Sequence, residues 1–161
     1  LVDDAPLAAT LLARLRPRLP EQLMRMTLSG IKERMRCYRY RVGEYFAPHG
    51  DQSYPGGPGE RSLLTLMIYL NDDFVGGQTA FLELDQLITP VRGRALLFQH
   101  MVLHEGRAVT EGTKYVLRSD VFYRALAGDG PRAAPAQRRA PRSASACASP
   151  CERLPEVGIA M

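Results

Sequence analysis

From Arg36 onward the chain alternates short apolar runs with turns rich in Gly, Pro and Asp, and no helical period intervenes. That pattern is the tightest constraint on what it can fold into. Strand-length runs occupy 36–42, 63–70, 79–84, 94–98, 101–103 and 113–123. Between them stand PHGDQSYPGGPGE, NDDFVGG, VRG and TEG, whose residues favour reversal of the backbone. Parallel βαβ units need a helix between strands. Six short runs without one therefore predict a β-sandwich or barrel.

Helices are expected only ahead of these strands. In 3–16, Asp3 or Asp4 can cap, Pro6 suits the first turn, and Leu7, Leu11, Leu12 and Leu15 share one face. Pro17 and Pro20 end it, and a weaker helical stretch is predicted over 21–27, before Gly30. After Ala127 the sequence turns to Ala, Pro, Arg and Ser without an apolar period, which cannot offset the entropy of ordering. The expected organisation is one folded domain over 1–127 and a disordered tail over 128–161. Leu1 is not an initiator methionine, so the domain is expected to be N-terminally truncated.

Charge and cysteine content narrow the class further. The net charge of +4 divides into +2 for the tail, where five Arg face Asp129, Glu152 and Glu156, and +2 for the rest. So small and interleaved a charge argues against a nucleic-acid partner. No apolar run approaches transmembrane length and no signal peptide opens the chain, so no membrane association is expected. Cys37, Cys147 and Cys151 make an odd count rather than a disulfide framework, and Cys37 is expected as a buried thiol. Cys147 and Cys151 lack nearby partners for a metal. A reducing, cytoplasmic compartment follows as the expectation. Oligomeric state is not legible.

The chemistry concentrates in His49, Asp51 and His104. His49 and Asp51 form an H-x-D pair whose side chains project to one side of an extended segment. His104 follows 53 residues after Asp51, at an expected strand end. Two imidazoles and a carboxylate are the protein ligands of non-haem Fe(II) oxygenases, leaving half of an octahedral iron open. The alternative is a turn in which Asp51 caps a backbone amide. His100 has no motif role and is expected to be structural or exposed. Asp72 and Asp73 read as turn formers, lacking the regular oxygen-ligand spacing of a calcium loop. The PGGPGE stretch at 55–60 does not join a strand to a helix, which argues against a phosphate loop. It is either a mobile border of the metal or a plain surface loop. In 113–123, alternation sends Lys114, Val116 and Arg118 to one face and Tyr115, Leu117 and Ser119 to the other. An inward lysine is costly unless an anion meets it.

The runs RMRCYRYRVGEYFAPHGDQSY, RSLLTLMIYLNDDFVGGQTAFL and VRGRALLFQHMVLHEGRAVTEGTKYVLRSDVFYR occur in order over roughly 30–124. Together they resemble the prolyl 4-hydroxylase-like branch of the 2-oxoglutarate/Fe(II) dioxygenases. The resemblance implies a mainly β fold with flanking N-terminal helices, built on a double-stranded β-helix (a jelly roll, cupin-like). It implies Fe(II), O₂ and 2-oxoglutarate, with ascorbate keeping the iron reduced, and hydroxylation of an unactivated C–H bond with release of succinate and CO₂. A prolyl residue of a peptide or protein is favoured over a small molecule. Carried onto this chain, the resemblance makes His49, Asp51 and His104 the iron ligands. Lys114 becomes the partner of the distal 2-oxoglutarate carboxylate and Tyr40 a hydrogen-bond donor to it. Thr65 is a further candidate hydroxyl for that carboxylate, and Arg118 a candidate for the substrate side or the second rank around the metal. Each has a plainer alternative: a Lys–Asp pair for Lys114, a core aromatic for Tyr40 (with Tyr38, Tyr45 and Tyr69 as competitors), a partner of Asp120 for Arg118. Two rival functions stand beside this one. A non-catalytic jelly-roll binding module would have no need of an inward lysine. A cupin-like metalloenzyme without 2-oxoglutarate would be expected to offer more than the three histidines present.

Overall fold

The structure is a computed structural model, and it describes residues 1–126. The tail expected over 128–161 and the end of the domain at 127 lie outside the described residues.

One helix lies near the start of the described residues, after a two-residue strand. Helix α1 (Ala5–Leu15) starts where Asp4 accepts a 2.8 Å hydrogen bond from the Leu7 amide, with Pro6 in the first turn. A short 3₁₀ turn (Arg16–Arg18) closes it. The early strands are β1 (Val2–Asp3), β2 (Gln22–Leu23), β3 (Met26–Ile31) and β4 (Arg34–Arg41). The middle of the chain forms β5 (Phe46–His49), β6 (Glu60–Tyr69), β7 (Val75–Gly76), β8 (Thr79–Phe81) and β9 (Gln86–Ile88). The last are β10 (Ala95–Gln99), β11 (His104–Gly106), β12 (Val109–Glu111) and β13 (Thr113–Ala125).

These build a large sheet and a small one. In the large sheet β13 is central. It pairs with β6 along one edge and with β4 and then β3 along the other, while β10 extends the sheet beyond β6. The small sheet runs β5-β11-β8-β9, and β7 pairs separately with β12. All these pairings are antiparallel, as short connections require.

Two apolar layers hold the parts together. On one side of the large sheet Leu7, Leu11, Leu12 and Leu15 of α1 pack on Leu64, Leu66, Leu117, Val121 and Tyr123. On the other side Tyr38, Tyr40, Met67, Tyr69, Phe98 and Val116 pack with Phe81 of the small sheet. β13 is therefore covered on both faces, and burying its apolar side chains is worth ~1.5–3 kcal/mol each.

Several expectations are corrected. The sheets do not close into the expected double-stranded β-helix. The fold is mainly β with N-terminal helices, and β5 and β9 end the small sheet without joining the large one. Closure needs strands long enough to carry a continuous stagger from one sheet into the next, and β8, β9 and β11 have three residues each. The helical stretch expected over 21–27 is a hairpin of β2 and β3, turned by Met24 and Arg25 at φ 50° and 62°. Residues 101–103 are a turn, with the strand beginning at His104. Cys37 is exposed rather than buried. It shares the α1-facing side of β4 with buried Met35, but that side opens to solvent just beyond its partner Leu117, where the next pair on the same face, Arg39 and Tyr115, is exposed. No helix among the described residues is long and apolar enough to cross a membrane.

Candidate metal centre

His49 and His104 are direct cross-strand partners in the small sheet, His49 ending β5 and His104 opening β11. This register alone brings together histidines far apart in sequence, with ring centroids 4.2 Å apart. Asp51, two residues beyond His49, is held in place by its amide bonding to the His100 carbonyl. One nitrogen from each histidine and one oxygen from Asp51 lie within 4.8 Å of one another.

The protonation of these rings is set by their neighbours. His49 Nδ1 lies 2.6 Å from the Ala47 carbonyl and His104 Nδ1 lies 2.7 Å from that of Val102. A carbonyl only accepts, so each Nδ1 carries a proton and Nε2 is the nitrogen left to face a metal. His104 Nε2 is buried and has no hydrogen-bond partner among the described residues. Burial, which outweighs the Val102 hydrogen bond, pushes His104 down to about 3 and keeps it neutral. Burial likewise pushes Asp51 up to about 6 in the metal-free protein, against the opposing pull of Arg118. Two imidazoles whose Nδ1 atoms are turned to carbonyls, and one buried carboxylate, fit a divalent first-row metal, Fe(II) among them.

Asp51 is gripped from behind. Arg118 Nη2 lies 2.9 Å from Oδ2, and Thr65 Oγ1 donates to the same oxygen. Arg118 also pairs with Asp120 at 3.3 Å. Its side chain is 1 % exposed. Burial alone would lower its pKa, but Asp51 and Asp120 raise it instead, so it stays charged. Asp51 Oδ1 is the oxygen these groups leave for a metal.

Lys114 stands farther along the same face of β13. It is 1 % exposed, and its Nζ donates to the Gly77 carbonyl at 2.9 Å. Nζ lies 5.1 Å from the ring centre of Tyr40, its register partner on β4, and 5.4 Å from that of Tyr69. Gly77 lets this happen. Its φ is +66°, and a Cβ there would come within 3.1 Å of Lys114 Cδ.

The structure thus brings His49, Asp51 and His104 together, sets Arg118 behind Asp51, and pairs Lys114 with Tyr40. Thr65 falls elsewhere than beside the lysine. It is opposite Asp120, six residues or about 20 Å along β13 from Lys114. Its hydroxyl serves Asp51. His100 belongs to no motif, so the sequence gives no signal for its place beside the site. It is 3 % exposed, bonds Thr65 and Ser62, and is pushed down to about 4 by burial. Gly77 and Tyr69 also escape a reading by motif. The only signal for Gly77 is its place in a Gly-Gly pair.

The family model described as the 2OG-Fe(II) oxygenase superfamily matches residues 35–119, which contain His49, Asp51, His104, Lys114 and Arg118. A protein of Acanthamoeba polyphaga mimivirus, provisionally named a prolyl 4-hydroxylase, is 30% identical over 102 aligned positions. That match covers 52% of this chain and 42% of the relative, so the chain spans less than half of its length. A Pseudomonas putida prolyl-4-hydroxylase shares the fold with a TM-score of 0.56 at 20% identity, covering 78% of this chain and 72% of that one. A truncated form of the viral collagen prolyl hydroxylase of Paramecium bursaria Chlorella virus-1 gives a TM-score of 0.54 at 22% identity, with the same coverage.

Proposed function

This chain belongs to the 2OG-Fe(II) oxygenase superfamily, and from that premise we propose that it is an Fe(II)- and 2-oxoglutarate-dependent dioxygenase. Its reaction is the hydroxylation of an unactivated C–H bond, with succinate and CO₂ released. The favoured target is a prolyl residue in a peptide or protein, as the names of its relatives state for those proteins. Ascorbate belongs to the proposal as the reductant that keeps the iron ferrous.

One observation carries the reading. Two histidines with both Nδ1 atoms turned to carbonyls, and a carboxylate held by one oxygen, converge within 4.8 Å at the edge of an apolar layer. His49, Asp51 and His104 would hold the iron, which supplies the activation of O₂ that side chains cannot. Lys114 would receive the distal carboxylate of 2-oxoglutarate, with the Tyr40 hydroxyl as a second donor. Phe81 and Phe98, whose rings lie 6.1 and 4.9 Å from that of His104, exclude water from one side. The chain over 1–127 is proposed as the catalytic unit. Cys37, a free thiol on the surface, suits a reducing compartment such as the cytoplasm.

The test is an anaerobic absorbance titration with Fe(II) and then 2-oxoglutarate, alongside His104→Ala. A visible metal-to-ligand charge-transfer band in the wild type, absent from the variant, is the expected result. No band from folded wild-type protein would sink the 2-oxoglutarate reading. Proline-rich peptides gaining the mass of one oxygen atom, only when 2-oxoglutarate is present, would identify the substrate class.

A further inference from the structure

Thr65 has one hydroxyl proton and two lone pairs. Three polar groups surround that hydroxyl. Arg118 Nη2, at 3.4 Å, can only donate to it. Asp51 Oδ2 can only accept from it as a carboxylate. His100 Nδ1 lies at 2.9 Å. Since the hydroxyl proton is committed to Asp51, Nδ1 must be the donor in its contact. The uncharged imidazole then presents Nε2 as an acceptor, and Ser62 Oγ lies 2.9 Å from it. Ser62 Oγ in turn accepts from the Tyr54 amide at 2.9 Å. Every donor in this line meets an acceptor. It runs from Tyr54 through Ser62, His100 and Thr65 to Asp51, and each side chain from Ser62 onward is at most 3 % exposed.

We propose that His100, the histidine outside the metal set, is a positioning residue for the metal ligand Asp51. It acts through Thr65. By filling a lone pair of Thr65 it leaves the hydroxyl proton only one destination, Asp51 Oδ2. With Arg118 on the same oxygen, the carboxylate is held to bind metal through Oδ1 alone. The far end of the line is the Tyr54 backbone, in the loop that follows Asp51. That loop and the metal ligand are thereby joined by one buried run of hydrogen bonds. Residues of this kind orient a metal's ligands, and losing one costs about 10- to 100-fold in metal affinity.

The inference rests on the metal reading above, and its test separates the two. The full chain, freed of metal, is titrated with Co(II), and both affinity and visible d–d spectrum are recorded. The panel is wild type, Thr65→Val, Thr65→Ser, His100→Asn, His100→Leu, the Thr65→Val/His100→Leu double variant and His104→Ala. Thr65→Val keeps the shape and removes the hydroxyl, and is expected to weaken Co(II) about 10- to 100-fold and alter the spectrum. Thr65→Ser restores both. His100→Asn, whose amide can stand in for Nδ1–H, stays near wild type, while His100→Leu resembles Thr65→Val. The double variant is no weaker than Thr65→Val alone, because His100 works through Thr65. Wild-type affinity and spectrum in Thr65→Val would overturn the inference while leaving the metal site standing. So would additive losses in the double variant. Wild-type protein that binds Co(II) no better than His104→Ala would overturn both.

Discussion

Replacing Lys114 by Met tests the cosubstrate pocket with the least collateral change. Met keeps the length and most of the volume of the buried stem and deletes the ammonium. A carboxylate about 4 Å from that ammonium, at an effective dielectric constant near 20, is attracted by ~4 kcal/mol. Stripping water from both ions returns part of this, and buried charge pairs show net losses of ~2–5 kcal/mol when one member is removed. Lys114 is already 1 % exposed, so its own desolvation is met on folding rather than on binding. The expected loss is therefore ~2–4 kcal/mol, roughly 30- to 700-fold in affinity. The substitution also deprives the Gly77 carbonyl of its donor. That cost falls equally on any ligand and cancels in a ratio. The assay is accordingly a comparison of 2-oxoglutarate with 2-oxovalerate, which has the same carbon chain and a methyl in place of the distal carboxylate. Both are titrated into Fe(II)-loaded protein without oxygen. Wild type should prefer 2-oxoglutarate by about the factor given, and Lys114→Met should bind the two alike. A variant that keeps the full preference would refute the assignment of Lys114 and send the search to another cation.

Three other outcomes follow from the same geometry. Below pH 6 a proton competes with metal for Asp51, so the apparent Co(II) affinity should fall about tenfold per pH unit; an affinity flat from pH 5 to 7 would exclude the burial argument. His100 is pushed down to about 4 from an ordinary 6.5, so the unfolded chain binds the extra proton between those values. Its contribution is complete above pH 6.5 and is lost as pH falls toward 4, so metal-free wild type should lose ~2 kcal/mol relative to His100→Asn between pH 7.5 and 5 in urea denaturation. Parallel losses in the two proteins would contradict this. Gly77→Ala should cost ~1–3 kcal/mol and weaken 2-oxoglutarate, because its Cβ would come within 3.0 Å of Phe74 and 3.1 Å of Lys114. Gly43→Ala, at φ +82° with nothing within 4 Å of the new Cβ, should show backbone strain alone and bind normally.

What could be read from the sequence was whatever a short window encodes. Helix α1 announced itself through its cap, its proline and its leucine face, and all three contribute in the structure. The alternation in β13 put Lys114, Val116 and Arg118 on one side correctly, because strand period depends only on neighbouring residues. The hairpin of β2 and β3 was hidden because Met24 and Arg25 occupy left-handed conformations that usually call for Gly or Asn. Packing against α1 overrode that local preference. Whether sheets close into a barrel depends on stagger summed over many strands, which no single strand displays. The partners of Thr65 and His100 escaped for a related reason. Their hydrogen bonds span 14 to 53 residues of sequence, and neither residue carries a motif.

β13 is the element through which fold and chemistry meet. Its ladders are regular from Thr113 to Arg118 against β4 and from Val116 to Val121 against β6, and the first shift in register comes only after Val121. Lys114 and Arg118 both fall within that regular stretch, four residues or about 13 Å apart along the strand, with buried Val116 between them. Arg118 fixes the end where Asp51 would meet a metal, and Lys114 the end where an anion would arrive. The separation between those ends is thus set by backbone hydrogen bonds on both edges rather than by loop conformation. A bulge between Lys114 and Arg118 would turn one of them out of the interior, because side chains alternate at every residue. The irregularity that β13 does tolerate lies beyond Asp120, past the last side chain in the site. A strand that must serve as a spacer can bend only where it no longer measures anything.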